Sequence, residues 1–287
     1  MNIGTQYKLD DEFKAIARLF QSKYRAEVLG VEFEDYGNRL TDSDAQALLN
    51  YYGKVNCKEV LRKRYPFYSK KRDADLLRSE HIPFNLIAPL DADREAAREI
   101  ISTAWGIQCK EILSVEMEYA PSPKEEYLND GTAFDTYIKA QLKDGRTCGI
   151  GIEVKYTEQD YPVGVTEKKR VQDHHSLYWT TARASCCFRN SDDEIFGTDQ
   201  FRQVWRNHLL GLSMIQHSDI DLFFSVTLFP DGNTHFHKVI PRYKSLLTEH
   251  AQAYVIGSTF EQFISAIEGP TDFLEWKNWL ERRYVIK

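Results

Sequence analysis

Residues 132–156, TAFDTYIKAQLKDGRTCGIGIEVKY, restrict the fold more than any other stretch, because two alternating arms flank a Lys143-Asp144-Gly145-Arg146 turn. In the second arm Ile150, Ile152 and Val154 share one face, and Gly149, Gly151, Glu153 and Lys155 share the other, as the two-residue period of a strand requires. The first arm sets Phe134, Thr136, Ile138 and Ala140 against Asp135, Tyr137, Lys139 and Gln141. A two-residue type I′ loop at Asp144-Gly145 pairs Phe134 with Lys155 and Thr136 with Glu153. A three-residue loop with Gly145 left-handed instead pairs Phe134 with Val154, Ile138 with Ile150 and Asp135 with Glu153. The second register keeps the apolar residues on one buried face, so it is the expected one. It places the β-carbons of Asp135 and Glu153 about 5 Å apart.

Two facing carboxylates repel unless a cation lies between them. The pair therefore points to a divalent metal, with Lys155 on the same face, and an all-oxygen donor set suits Mg²⁺ or Mn²⁺. The competing reading is a half-exposed strand with a charged outer face, common in antiparallel sheets.

The rest of the chain bounds the function. Its 287 residues, 42% apolar, suffice for one large or two modest domains with a full core. A net charge of −6 excludes a uniformly basic nucleic-acid coat, so phosphate contacts must come from local patches. The densest patch joins Lys58, Arg62, Lys63, Arg64, Lys70, Lys71 and Arg72 with Tyr65, Phe67 and Tyr68. Basic groups interleaved with aromatics suit a phosphate backbone or an unstacked base, while a solvated helix end explains them equally. Lys168, Lys169 and Arg170 form a second basic run. The five cysteines include no CxxC pair, MNIGTQYKLDDEF does not read as a signal peptide, and no apolar run nears 18 residues. The cytoplasm is the expected location.

Helices are expected over residues 8–26, from Thr41 to before Gly53, over 91–105 and over 199–216. A further helix is expected in HSLYWTTARA. Strands are expected at 111–119, with Leu113, Val115, Met117 and Tyr119 opposite Ser114, Glu116 and Glu118, at DLFFSVTLF and at THFHKVI. The chain from Ser245 reads as helical. His174-His175 with Cys186-Cys187 matches no zinc spacing, and His235 and His237 read as an ordinary pair on one strand face.

A helix followed by three antiparallel strands, with Asp135 in TAFD on the second and Glu153-Val154-Lys155 in GIEVKY on the third, resembles the PD-(D/E)XK nuclease superfamily. SEHIPFNLIAPL before the sheet and QVWRN after it add to the likeness, which covers roughly residues 79–240. Ala133-Phe134 stands where the superfamily name has Pro, a position that holds no ligand. The resemblance implies an α/β (α+β) restriction-endonuclease-like fold with a central mixed sheet flanked by helices. It divides the chain into an N-terminal helical region (1–78), the core (79–240) and a C-terminal helical extension (241–287) packed on the core.

The same resemblance implies a DNA partner, Mg²⁺ or Mn²⁺ as cofactor, and a homodimer for a double-strand cutter; no membrane partner is expected, since no apolar run is long enough. Asp135, Glu153 and the Val154 carbonyl become metal ligands, and Lys155 orients or activates the attacking water. Gln203 and Arg206 become candidates for holding the scissile phosphate or the water, and Glu80 a third acid in competition with Glu99, Glu116 and Glu118. Two other functions stay open: a degenerate nuclease fold that only binds nucleic acid or protein, and a hydrolase of small phosphoesters.

Overall fold

The computed structural model describes residues 2–159 and 164–286. Helices α1 (Glu12–Lys23), α2 (Asp42–Gln46), α3 (Cys57–Arg64), α4 (Lys70–Ala74), α5 (Ile82–Leu86) and α6 (Arg94–Trp105) precede the sheet. Strands β1 (Cys109–Tyr119), β2 (Phe134–Leu142) and β3 (Thr147–Val154) form an antiparallel meander. Helices α7 (Val165–Gln172), α8 (Leu177–Ser185) and α9 (Arg202–Gln216) then lead to β4 (Leu222–Phe229), parallel to β3. Helices α10 (Thr234–Ser245) and α11 (Glu249–Gln252) lead to β5 (Val255–Thr259), parallel to β4, and α12 (Phe260–Ser265) and α13 (Thr271–Tyr284) complete the chain. The result is a mixed sheet of order β1-β2-β3-β4-β5 flanked by helices, an α/β restriction-endonuclease-like fold. Among the described residues no helix is long and apolar enough to cross a membrane.

The hairpin takes the three-residue loop. Gly145 has φ +91°, its N–H donates to the Leu142 carbonyl at 3.0 Å, and Leu142 N–H donates to the Arg146 carbonyl at 2.8 Å. The β2–β3 ladder runs from Gln141↔Thr147 through Ile138↔Ile150 to Thr136↔Ile152, the expected register. Phe134 departs from expectation: its ring lies on the Tyr137 side of the sheet, 5.4 Å from Phe223.

The sheet is covered on both sides, not one. Ile138, Ala140, Ile150, Ile152 and Val154 pack with α6, α12 and α13 residues such as Ile100, Phe263 and Trp276. Tyr137, Phe134 and Phe223 pack with Trp179, Trp205 and Leu209 from α8 and α9. The glycines of GIGIEVK make this second layer fit. A β-carbon at Gly151 would come within 2.5 Å of the Phe134 ring and 2.6 Å of Phe223, and one at Gly149 within 2.7 Å of the Tyr137 hydroxyl.

Four other readings change. The β1 alternation inverts where the register shifts between Ile112 and Ser114, so Ile112 is 2% exposed and Leu113 38%. THFHKVI begins helix α10, not a strand, and it buries Phe236, Val239, Ile240 and Tyr243 at the three- and four-residue spacing of a helix. His237 there turns to the Asp231 carbonyl, 3.0 Å away. The C-terminal segment read as wholly helical supplies the fifth strand. The helix from Thr41 also ends early, at Gln46, although Thr41 caps it by accepting from Asp44 N–H.

Candidate active site

β3 ends at Val154, and parallel pairing carries the chain one residue further, with Lys155 N–H donating to the Leu228 carbonyl at 2.8 Å. The next residues are tied down. Tyr156 N–H donates to Glu158 at 2.7 Å, Ser79 Oγ donates to the same carboxylate at 2.7 Å, and Asn233 Nδ2 donates to the Tyr156 and Glu158 carbonyls at 3.0 Å each. Lys155, only 5% exposed, is thereby held with its ammonium against Glu153: Nζ donates to Oε1 at 2.5 Å. The other Glu153 oxygen accepts from Asn207 Nδ2 at 2.5 Å. Asp135 accepts the Val154 N–H at 2.7 Å, so its carboxylate satisfies a backbone donor just beyond the last Thr136↔Ile152 pair.

Three acids therefore lie across adjacent strands. The β1–β2 pairs Met117↔Thr136 and Tyr119↔Phe134 bracket Glu118 and Asp135, which sets these two opposite each other. Burial, then the Glu153 charge and, further down, Glu118, push the Asp135 carboxyl well above the usual range, with Lys155 acting against them. Burial also raises Glu118, with Tyr65 and Arg64 opposing and Glu153 and Glu80 adding. Glu118 has φ +52°, a left-handed backbone that costs a non-glycine residue about 1–2 kcal/mol. Strain of this kind concentrates at functional sites. Among the described residues, no three His, Cys, Asp or Glu side chains group closely enough to enclose a metal ion.

The expected site residues divide. Asp135, Glu153 and Lys155 come together, and Val154 contributes its N–H to Asp135. Glu80 pairs with Arg78 at 3.2 Å and Lys71 at 3.3 Å, and its charge reaches Glu118. Arg206 on α9 binds Glu167 at 2.8 Å, while half-buried Gln203 lies one turn before Asn207. Asn207, which the sequence shows only as part of a polar helix face, is the α9 side chain that touches Glu153. Burial lowers the Arg206 pKa, but Glu167, Tyr178, Asp130 and Glu153 outweigh it and raise the value.

The basic patch divides as well. Arg64 donates to the Glu118 carbonyl at 3.3 Å and, with Lys63, lines a cleft of about 270 Å³ beside β1. Arg62 reaches the Gln46 carbonyl, and Lys70 pairs with Glu34. Arg72 is buried against Asp73 and Tyr65, 4.3 Å above the ring, so it braces the fold and does not face solvent. Lys168 and Lys169 on α7 are exposed, and Arg170 donates to the Asn129 carbonyl at 2.8 Å.

A family model described as the PD-(D/E)XK nuclease superfamily matches residues 8–286. No curated protein and no solved structure matches the chain. The matched span is wider than residues 79–240. The geometry explains the difference: the N-terminal Arg64 and Tyr65 reach Glu118, and the C-terminal segment supplies β5. Asp135, Glu153 and Lys155 on a hairpin of a mixed sheet, in a chain matched over nearly its whole length, lead to one conclusion: this chain belongs to the PD-(D/E)XK nuclease superfamily.

Proposed function

We propose that the protein is a metal-dependent endonuclease that hydrolyses DNA phosphodiester bonds, with Mg²⁺ or Mn²⁺ held by Asp135 and Glu153. The observation that carries this reading is the buried Lys155 ammonium on Glu153, beside an Asp135 carboxyl whose charged form burial and Glu153 disfavour. A divalent cation between the two acids relieves that repulsion. Each carboxylate oxygen has two lone pairs, so one hydrogen bond on each Glu153 oxygen leaves further directions for an ion. Asp135 and Glu153 would hold such an ion through carboxylate oxygens, the donors that hard cations such as Mg²⁺ prefer. When bound, the ion lowers the pKa of a water and stabilises charge on the phosphoryl oxygens.

The chain's own groups do the rest. Lys155, whose ammonium is fixed on Glu153, would orient or activate the attacking water and offset developing negative charge. Asn207 holds the Glu153 carboxylate in one orientation, and Glu118 adds negative charge opposite Asp135. Lys63, Arg64, Lys168 and Lys169 offer cations to the flanking phosphates, an ionic-strength-dependent attraction.

Incubation of supercoiled plasmid with the protein and Mg²⁺ or Mn²⁺ tests this reading. Nicking is expected, EDTA is expected to stop it, and Lys155→Ala is expected to slow it about 10²- to 10³-fold with its circular dichroism retained. Equal rates for the two proteins would reject the mechanism.

A further inference from the structure

Helix α7 buries none of its residues, and Val165 in its first turn is 78% exposed. Its C-terminal end is fastened: the Trp179 indole N–H donates to the Val171 carbonyl at 2.8 Å, and Val171 packs against the aromatic core. The first turn reaches the body of the protein through Glu167, whose two oxygens divide between Arg202 and Arg206, one turn apart on α9. The Arg202 side chain is 4% exposed and that of Glu167 15%. Two guanidiniums converging on one oxyanion form the geometry that recognises a carboxylate or a phosphate. Arg206 also feels the charge of Glu153, and its chain neighbour Asn207 holds Glu153, so Arg206 borders the acids, with Arg202 one turn before it on α9.

We propose that Arg202 and Arg206 form a binding site for a backbone phosphate next to the cleaved one, and that Glu167 fills it until a nucleic-acid strand displaces it. Glu167 leaves by rotation of its own side chain, since α7 has no buried residue to lose in the exchange. Lys168 and Lys169, exposed on the same helix, keep α7 attracted to the strand once Glu167 has let go. This inference rests on the nucleic-acid reading above. A carboxylate of the protein that competes with substrate for two arginines lowers affinity, and its removal raises affinity.

The test measures binding of a fluorescein-labelled DNA duplex by anisotropy in EDTA, where no cleavage occurs. Glu167→Gln is expected to bind about tenfold tighter than the unaltered protein. In an Arg206→Met background, the same change is expected to have little effect, because the site it opens is gone. Unchanged or weaker binding by Glu167→Gln, with a lowered melting temperature, would make the contact a docking ion pair and overturn the proposal. Equal tightening in both backgrounds would reduce it to long-range charge and overturn it too. Tightened binding without plasmid nicking removes only the nuclease reading, whereas nicking without tightening removes only this one.

Discussion

Asp135→Asn is expected to slow Mg²⁺-dependent plasmid cleavage by about 10³-fold while raising the melting temperature of the metal-free protein. Activity falls because the asparagine carries no charge and binds a hard divalent cation weakly. Stability rises because burial and the Glu153 charge disfavour the Asp135 carboxylate in the fold, and the amide removes that charge. Asparagine keeps an oxygen able to accept the Val154 N–H, so no buried donor is orphaned.

The pH dependence has a definite sign. The folded chain holds the Asp135 proton above the ordinary value of 3.8, so this group favours the fold most below that pH. The contribution fades as pH rises through the raised value. Glu118, also raised, adds a slope of the same sign above its ordinary 4.5. Melting temperatures taken from pH 4 upward should therefore fall less steeply for Asp135→Asn than for the unaltered protein. A variant that loses both activity and stability would contradict this account of Asp135.

Arg72→Ala is expected to lower unfolding free energy by about 3–5 kcal/mol, read from urea denaturation. Arg72 donates twice to Asp73 at 2.8 Å, and Tyr51 donates to the same carboxylate at 2.6 Å, all of it buried. Truncation leaves the Asp73 charge without its counter-ion, and such a loss is a large share of a typical domain's stability. Lys70→Ala, which removes a half-exposed pair with Glu34, should cost under about 1 kcal/mol. If both substitutions cost the same small amount, Arg72 does not brace the fold and is available to a phosphate.

The contrast between these neighbours shows which information the sequence carries. Lys70, Lys71 and Arg72 read alike in a run of basic residues, yet one pairs with Glu34, one with Glu80 and one is buried on Asp73. Only the fold sorts them, since the partner acids lie as far away as Glu34 and as near as the next residue. The hairpin, by contrast, is local. Gly145 and the apolar alternation settle the loop length, the loop settles the register, and the register brings Asp135 to Glu153 and Lys155.

In the sequence Glu118 reads as one of four competing acids, because its place opposite Asp135 depends on β1 lying beside β2, a pairing that no local pattern in 109–119 encodes. The shift between Ile112 and Ser114 further scrambled the alternation of that strand. α10 is hidden in the sequence for a different reason. Pro230-Asp231-Gly232 resembles a hairpin turn, and that signal hid the helical spacing of Phe236, Val239, Ile240 and Tyr243. β5 is five residues long, too short to stand out between two helical patterns.

The central claim is that the two hairpin acids take one divalent ion between them. Crystals of the protein soaked in Mn²⁺ and measured at a wavelength where manganese scatters anomalously test it directly. The account predicts an anomalous peak within coordination distance of both the Asp135 and Glu153 carboxylates. Crystals in which manganese binds elsewhere, while those two carboxylates keep only their contacts with Val154, Lys155 and Asn207, would contradict it.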